Sequence, residues 1–380
     1  MKMAKVFCLC FVLLLVFTSV SFAAADTARS LGMGGAMIAV QNDLAAPYIN
    51  PACTAFVKKT SIGLSASYLR MFMHAGKFIG EETSLPENVG ILVPVGPGAF
   101  YIGQGLLENS KLASEYFGSE NLYQIKLNAP SASYAMLLMP DLAVGGTVSL
   151  MSRVGKSNWS ADNGDFEDSL TKYEGSSGTV GMMYSAGPSL DLGASATFVG
   201  HYLITGNDEL RMGGPEDGDY EINGVIDNPS TARFGCAWRP DRALTVGAQF
   251  DLLPAFSFDE KKDVKLDSYY DVRDNHLRGD SVIVSHFGVE YVIDTENGRV
   301  PFWAGAQFTP TNNLELDRLY LDEFLAYTCD NTSSYSFGMG YGNDNFDVGI
   351  AVQFTRGLTR ISEMMIIEDT KAVVSGTIKI

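Results

Sequence analysis

The chain has 380 residues and a formal charge of −17, from 44 acidic against 27 basic side chains. That balance argues against a nucleic-acid partner, whose phosphates demand Lys and Arg. Cysteines number five, with Cys8 and Cys10 in the first ten residues, and are too scattered for a disulfide framework or a CxxC metal site.

Residues 1–25 read as an export signal. Lys2 and Lys5 form its positive end, residues 6–17 are an apolar run of twelve, and Ala23-Ala24-Ala25 is a small-residue cleavage site. A membrane-spanning helix needs about 20 apolar residues, so this run is too short to be one. The expected mature start is Asp26, with no Cys there to take a lipid. Removing two lysines and no acid takes the charge from −17 to −19. No later run approaches a spanning length, so the mature chain is either soluble or a β-barrel.

Residues 29–52 read RSLGMGGAMIAVQNDLAAPYINPA. This stretch is too rich in Gly, Ala and turn formers for a stable isolated helix, and it is not a strand. Gly32, Gly34 and Gly35 let the backbone turn or approach another element closely. Asn42-Asp43 and Asn50-Pro51-Ala52 are turn-initiating pieces.

From residue 60 on, one pattern recurs. Apolar residues alternate with small or polar ones, a tight turn follows, and the alternation runs back. Leu142, Val144, Val148 and Leu150 share one face, with Ala143, Gly145, Thr147 and Ser149 opposite. Leu190, Leu192, Ala194, Ala196 and Phe198 are opposed by Asp191, Gly193, Ser195, Thr197 and His201. Leu244, Val246, Ala248, Phe250 and Leu252 are opposed by Thr245, Gly247, Gln249 and Asp251. The alternation predicts fourteen strands, near 60–73, 88–96, 98–107, 128–139, 141–154, 174–186, 189–205, 228–239, 242–256, 280–293, 299–309, 334–342, 345–357 and 370–380. Long loops are expected near 74–87, 108–127, 155–173, 206–227, 257–279, 310–333 and 358–369.

An even strand number, with short turns at one end and long loops at the other, predicts an all-β fold, a transmembrane antiparallel β-barrel. A soluble sandwich also alternates. Against it, the apolar faces of 189–205, 242–256 and 345–357 carry no charge, where a mid-bilayer Lys or Arg costs about 2–4 kcal/mol. The opposite faces are small or polar, which suits a wet lumen. Aromatics such as Tyr184, Tyr202, Phe302, Phe308, Tyr341, Phe346 and Phe354 gather toward strand ends as interface girdles do. The chain closes on Thr377-Ile378-Lys379-Ile380 without a terminal aromatic, but Val374, Gly376, Ile378 and Ile380 still alternate as a closing strand.

The acidic, Gly-rich loops do not fit the spaced EF-hand ligand pattern, so no metal is expected. In the 310–333 loop, Asn312 and Asn313 can cap a helix. Leu316, Leu319, Tyr320 and Phe324 would then share a face at helical spacing. Such a face either packs over the barrel mouth or offers a landing patch for a hydrophobic ligand. Leu112, Tyr116 and Phe117 in 108–127 form a weaker companion. The chain has no GxSxG elbow, HExxH or P-loop, and its histidines have no ligand-like spacing. Neither an enzyme nor a cofactor is expected. His201 and His286 are expected to face the lumen. Gly32-Met33-Gly34-Gly35 fails as a dinucleotide loop because no strand precedes it and Met37 stands where a small residue is needed.

The residues 29–36 (RSLGMGGA), Asn42-Asp43 and Tyr48-Ile49-Asn50-Pro51-Ala52, with the repeated arms such as PFWAGAQFTP at 301–310, resemble the FadL-type long-chain fatty acid transporter family of outer-membrane barrels. The resemblance implies a signal at 1–25, an N-terminal hatch at 26–58 that plugs the lumen, and a barrel over 59–380. It implies gating by Gly32, Gly34, Gly35, Asn42, Asp43, Asn50, Pro51 and Ala52, and passive uptake of a fatty acid-like molecule across the outer membrane. Outer-membrane lipid and a hydrophobic small molecule are the partners it implies. Sideways exit would need a break in strand pairing, for which Pro94, Gly103 and Gly105 are candidates. Those residues serve equally to ease curvature. The alternative is a barrel of the same fold that serves a periplasmic, secretion or surface-attachment partner. A simple hydrophilic porin is weakened by the hatch.

Overall fold

The computed structural model describes residues 26–73, 78–116, 119–161, 166–211, 218–227, 230–266, 269–310, 312–317, 326–329, 331–359 and 365–380. Two short helices come first, α1 (Ala28–Gly32) and α2 (Ala46–Ile49), then a 3-10 helix (Pro51–Phe56). The strands are β1 (Ser61–Met73), β2 (Phe78–Val95), β3 (Gly98–Tyr116), β4 (Ser119–Met139), β5 (Leu142–Ala161), β6 (Phe166–Gly187), β7 (Leu190–Val199), β8 (His201–Arg211), β9 (Gly218–Asp227), β10 (Thr231–Trp238), β11 (Leu244–Leu253), β12 (Phe256–Leu266), β13 (Tyr269–Gly279), β14 (Val282–Thr295), β15 (Gly298–Thr309), β16 (Asn312–Asp317), β17 (Ala326–Cys329), β18 (Thr332–Gly342), β19 (Phe346–Thr359) and β20 (Met365–Lys379).

At the short-turn end the antiparallel ladder runs β1 to β7 in order, then β10, β11, β14, β15, β18, β19 and β20. Pairing of β20 with β1, from Ser61↔Lys379 to Met73↔Ile367, closes a barrel of fourteen wall positions. Closure leaves no edge, which is what lets a sheet stand in hydrocarbon.

Toward the long-loop end the same wall continues. The upper half of β6 pairs with β8, and pairing then passes through β9, β12, β13, β16 and β17 to β19. The segments expected as long loops are therefore largely strand. Their apolar residues are interleaved with charged ones, as in FSFDEKKDVKL at 256–266, so a period-two search misses them. Six arms are interrupted part-way, which is how twenty strands fill fourteen wall positions, and Pro254 and Pro310, which cannot donate to a ladder, stand at two of the interruptions. The helix expected after residue 312 is corrected by β16, which pairs Leu314 with Gly279 and Leu316 with Leu277. Pairing to a neighbouring strand overrides the helical spacing. Leu319, Tyr320 and Phe324 lie outside the described residues.

Below that tier the pleat sorts residues as the alternation requires. Val148 and Leu150 are each 61 % exposed, while Ala143 is fully buried and Thr147 and Ser149 nearly so. Ile62, Leu64, Phe198, Phe234, Phe287, Phe337, Ile350 and Ile378 continue the apolar outer face around the barrel. Such a band reads as lipid-facing.

Residues 26–57 fold back into the lumen, where Ala28, Met33, Met37, Ile38 and Val40 are buried. They fit because the wall beside them lacks side chains. A Cβ on Gly145 would strike Pro51, on Gly181 Asn50, on Gly193 Ile38, on Gly247 Ala36, on Gly288 Met33 and on Gly305 Gly34. Several of these glycines are cross-strand partners, as in Gly145↔Gly181 and Gly247↔Gly288↔Gly305. Gly181→Val should lower the temperature at which the barrel loses its compact migration on a detergent gel, in line with an overpacking cost of about 1–3 kcal/mol. Gly178→Ala, whose new Cβ would have no neighbour nearer than 3.9 Å, should leave that temperature unchanged.

Candidate functional site

The inserted segment is built from caps and turns. Thr27 and Ser30 cap α1 reciprocally. Gly34 (φ 61°) and Gly35 (φ 82°) then take left-handed conformations, and both pack against the wall, on Ala306 and His286 respectively. Asn42 is also left-handed (φ 59°) and exposed, which Asn tolerates. Asp43 folds the segment on itself, accepting from the Thr27 hydroxyl at 2.9 Å and the Ala45 amide at 2.8 Å. Burial pushes the Asp43 carboxyl up, against the pull of Arg29.

Asn50 is the tightest of these points, with no exposed surface. Its Nδ2 donates to the Ile38 carbonyl at 2.7 Å and to the Met182 carbonyl of β6 at 3.0 Å. Its Oδ1 accepts from the Ala52 amide at 3.2 Å and so caps the 3-10 helix that Pro51 opens. One side chain thus ties the two halves of the segment to each other and to the wall.

Elsewhere the wall holds the segment mainly by its backbone. Gln249 Oε1 accepts from the Met37 and Ile38 amides at 3.0 and 2.9 Å. Thr147 donates to the Pro47 carbonyl and Ser195 to the Ile49 carbonyl, both at 2.6 Å. Ser336 donates to the Gly32 carbonyl at 3.1 Å, His286 Nδ1 to the Gly34 carbonyl at 2.8 Å, and the Ala28 amide to Ser375 at 3.1 Å. Arg29 makes a bidentate pair with Glu290 of β14, both bonds 2.8 Å, and Trp303 Nε1 donates to the same carboxylate. Removing Arg29 alone would strand a buried charge, at a cost of about 3–5 kcal/mol.

Among the described residues, the wall is markedly irregular between β2 and β3. Between β2 and β3 the ladder stops at Glu82↔Ser110 and resumes at Val89↔Gln104. On the β1 side, Ser65↔Asn88 is followed by Ser67↔Ser84, so Leu85, Pro86 and Glu87 bulge opposite Ala66. On the β4 side, Gly105↔Ala129 is followed by Glu108↔Leu127. Of the residues expected to break pairing, Gly105 stands at the lip and Gly103 two residues below. Cβ atoms there would strike Tyr48 and Tyr101 respectively. Pro94 is elsewhere, paired with Ala99 beside the β2–β3 turn.

Two links join the inserted segment to this window. Tyr48 OH lies 3.1 Å from Tyr101 OH, which donates to Asn88 Oδ1 at 3.2 Å. Lys371 of β20 donates to Asp26 at 2.7 Å and to Glu87 of the bulge at 2.8 Å. Sequence reading passed over Tyr101, Glu87, Lys371, Glu290 and Trp303. The available signal was a large or charged residue on a strand face otherwise made of small ones. His286 faces the lumen as expected and is 7 % exposed.

Solved barrels superpose on this fold. A Ralstonia pickettii toluene transporter, TbuX, superposes with a TM-score of 0.69 at 15 % identity, over 94 % of this chain and 98 % of that one. The chain has the FadL-type barrel fold. A Pseudomonas aeruginosa FadL homologue superposes with a TM-score of 0.64 at 14 % identity, over 93 % of this chain and 98 % of that one. The Pseudomonas putida toluene transporter TodX gives 0.62 at 16 %, over 93 % and 98 %. No family model matches the sequence, and no curated protein does.

Cys53 reports on whether the inserted segment stays docked. It is fully buried, burial pushes its thiol up, and its Sγ donates to the Ile38 carbonyl that Asn50 also holds. In a Cys236→Ser, Cys329→Ser background, Cys53 should resist maleimide. Asn50→Ala, which leaves two buried carbonyls short of a donor, should speed labelling by about tenfold or more. The barrel should stay folded, because its ladder does not run through Asn50. Equal labelling rates would show that Asn50 does not hold the plug.

Proposed function

We propose that the chain is an outer-membrane channel for passive uptake of hydrophobic small molecules, with residues 26–58 as its hatch and the β2–β3 window as a sideways exit. The observation that carries this reading is the coincidence of the plug with the break. Residues 26–57 are packed inside the barrel, and β2 and β3 are unpaired beside them, where two hydrogen-bonded links reach from one to the other. A hydrophobic molecule entering from the long-loop end meets the hatch and leaves through the wall into lipid, without crossing water.

In this scheme, Asn50 and Asp43 hold the hatch fold. Gly32, Gly34 and Gly35 let its backbone lie on the wall, and Asn42 and Pro51-Ala52 set its turns. Tyr48, Tyr101 and Lys371 couple hatch position to window closure. A long-chain fatty acid-like molecule is the ligand the sequence resemblance implies. Toluene, named for the two toluene transporters above, is a smaller apolar candidate. Leu316, Leu319, Tyr320 and Phe324 remain candidates for first contact with the ligand.

The window can be tested by deleting Leu85 and Pro86 from β2 together with Leu107 from β3. That deletion brings Ser65↔Asn88 and Ser67↔Ser84 into one continuous ladder and leaves β2 and β3 with equal numbers of residues across the gap, so that pairing can close. Uptake of a radiolabelled hydrophobic compound by cells expressing the variant should fall by about tenfold, in line with the loss of a required opening. The barrel should still resist detergent unfolding. Undiminished uptake would sink the sideways route. No uptake even by the unaltered chain, together with a stable cross-linked partner, would favour the partner-serving alternative.

A further inference from the structure

The charges beside the window narrow the ligand class, on the footing of the function proposed above. Arg29 is held by Glu290, Arg233 by Asp251, Arg239 by Asp191, and Lys371 by Asp26 and Glu87 together. Each of these lumen-side cations already has a carboxylate. At the window the balance is two carboxylates, Asp26 and Glu87, to the single ammonium of Lys371. Cleavage before Asp26 would add one amino group and bring that cluster to neutrality, not to a positive charge.

Hydrogen-bonding capacity, by contrast, is left over. Glu87 is 5 % exposed and gives Oε1 to Lys371, while its Oε2 makes no hydrogen bond. Ser65 is 1 % exposed, stands opposite Asn88 in the ladder, and its Oγ is likewise unpaired. The Ser67 hydroxyl, on the same face of β1, lies within hydrogen-bonding reach of the Glu87 carboxylate, so that Oε2 is the oxygen left without a partner. Native interiors rarely leave such groups orphaned, and each one calls for an explanation. Both lie at the bulge that borders the unpaired stretch of β2.

We infer that Glu87 and Ser65 form a polar subsite at the inner mouth of the window that takes the hydroxyl of an uncharged hydrophobic molecule, a long-chain alcohol or alkylphenol. A hydroxyl has one hydrogen to give and lone pairs to receive. It donates to Glu87 Oε2 and accepts from the Ser65 hydroxyl. A carboxylate has no hydrogen to give and brings a like charge to Glu87. The subsite therefore selects alcohols over fatty acid anions of equal chain length.

Equilibrium binding of dodecanol, dodecanoate and dodecane to the purified full chain in detergent tests this. At about pH 8 the acid is fully ionised, and the shared chain length holds the hydrophobic contribution constant. Dodecanol should bind about tenfold tighter than dodecanoate and several-fold tighter than dodecane, the scale of one or two hydrogen bonds. Ser65→Ala and Glu87→Gln should each bring dodecanol toward dodecane, and Glu87→Gln should also improve dodecanoate. Dodecanoate binding as tightly as dodecanol, or dodecanol binding untouched by both substitutions, overturns the subsite and leaves the channel standing. Failure of all three probes to bind a folded barrel overturns the channel reading and the subsite with it.

Discussion

A strand wall surrounded by hydrocarbon persists only if each backbone N–H and C=O finds a partner next door. Nearly everything in this molecule obeys that constraint. β20 returns to β1 so that no edge remains, and the wall keeps its fourteen positions even where single arms are interrupted. Against that regularity the β2–β3 gap stands out. Six residues of β2 and five of β3 leave the ladder together, between Glu82↔Ser110 and Val89↔Gln104. Unpaired backbone of this extent is tolerated where protein or a cavity lies beside it. Here the Tyr48–Tyr101–Asn88 chain and the Lys371 pair bring the inserted segment up to it.

Lumen packing follows from the same wall. A fourteen-strand barrel lined with ordinary side chains would have no space for 32 extra residues, counted from 26 to 57. The inner glycines provide it, and the inserted backbone then lies close enough for short wall side chains such as Ser195, Thr147 and Ser336 to reach its carbonyls. The charged pairs follow a different logic. Arg29–Glu290 and Lys371–Asp26–Glu87 are buried pairs whose value lies in fixing position, because desolvation offsets much of their attraction.

Much of this was legible in the sequence, for identifiable reasons. Every barrel strand is close to its expected place, because a lipid face and a lumen face force opposite chemistry on alternate residues such as Val148 and Thr147. Where that contrast ends, legibility ends too. The upper arms in 108–116, 119–127, 155–161 and 166–173 mix charged residues with their apolar ones and so read as loops. At Leu316, i, i+3 and i+4 apolar spacing suggested a helix, yet pairing with Leu277 made a strand. Asn50 and Pro51 announced a turn, but not that Asn50 would bond to Ile38 and Met182. Gly103 and Gly105 signalled an irregular stretch, whereas Pro94 gave the same signal from an ordinary turn. Gln249 and Glu290 look like any lumen residues until the partner they meet is known.

The plug is gripped largely through its main chain, and this separates two kinds of evolutionary freedom. Gln249, Thr147, Ser195, Ser336 and His286 contact amides and carbonyls that every amino acid carries. The barrel therefore recognises the path of the insert more than its spelling, much as a groove accepts peptides of many sequences. Drift within residues 26–57 is free only away from Arg29, Asp43, Tyr48 and Asn50, whose side chains hold the segment, and from Gly34 and Gly35, while the glycines and short hydroxyls of the wall are held in place by the trace they accommodate. A foreign insert of the same length and turns would therefore seat only if it also kept the side chains that reach the wall, Arg29, Tyr48 and Asn50.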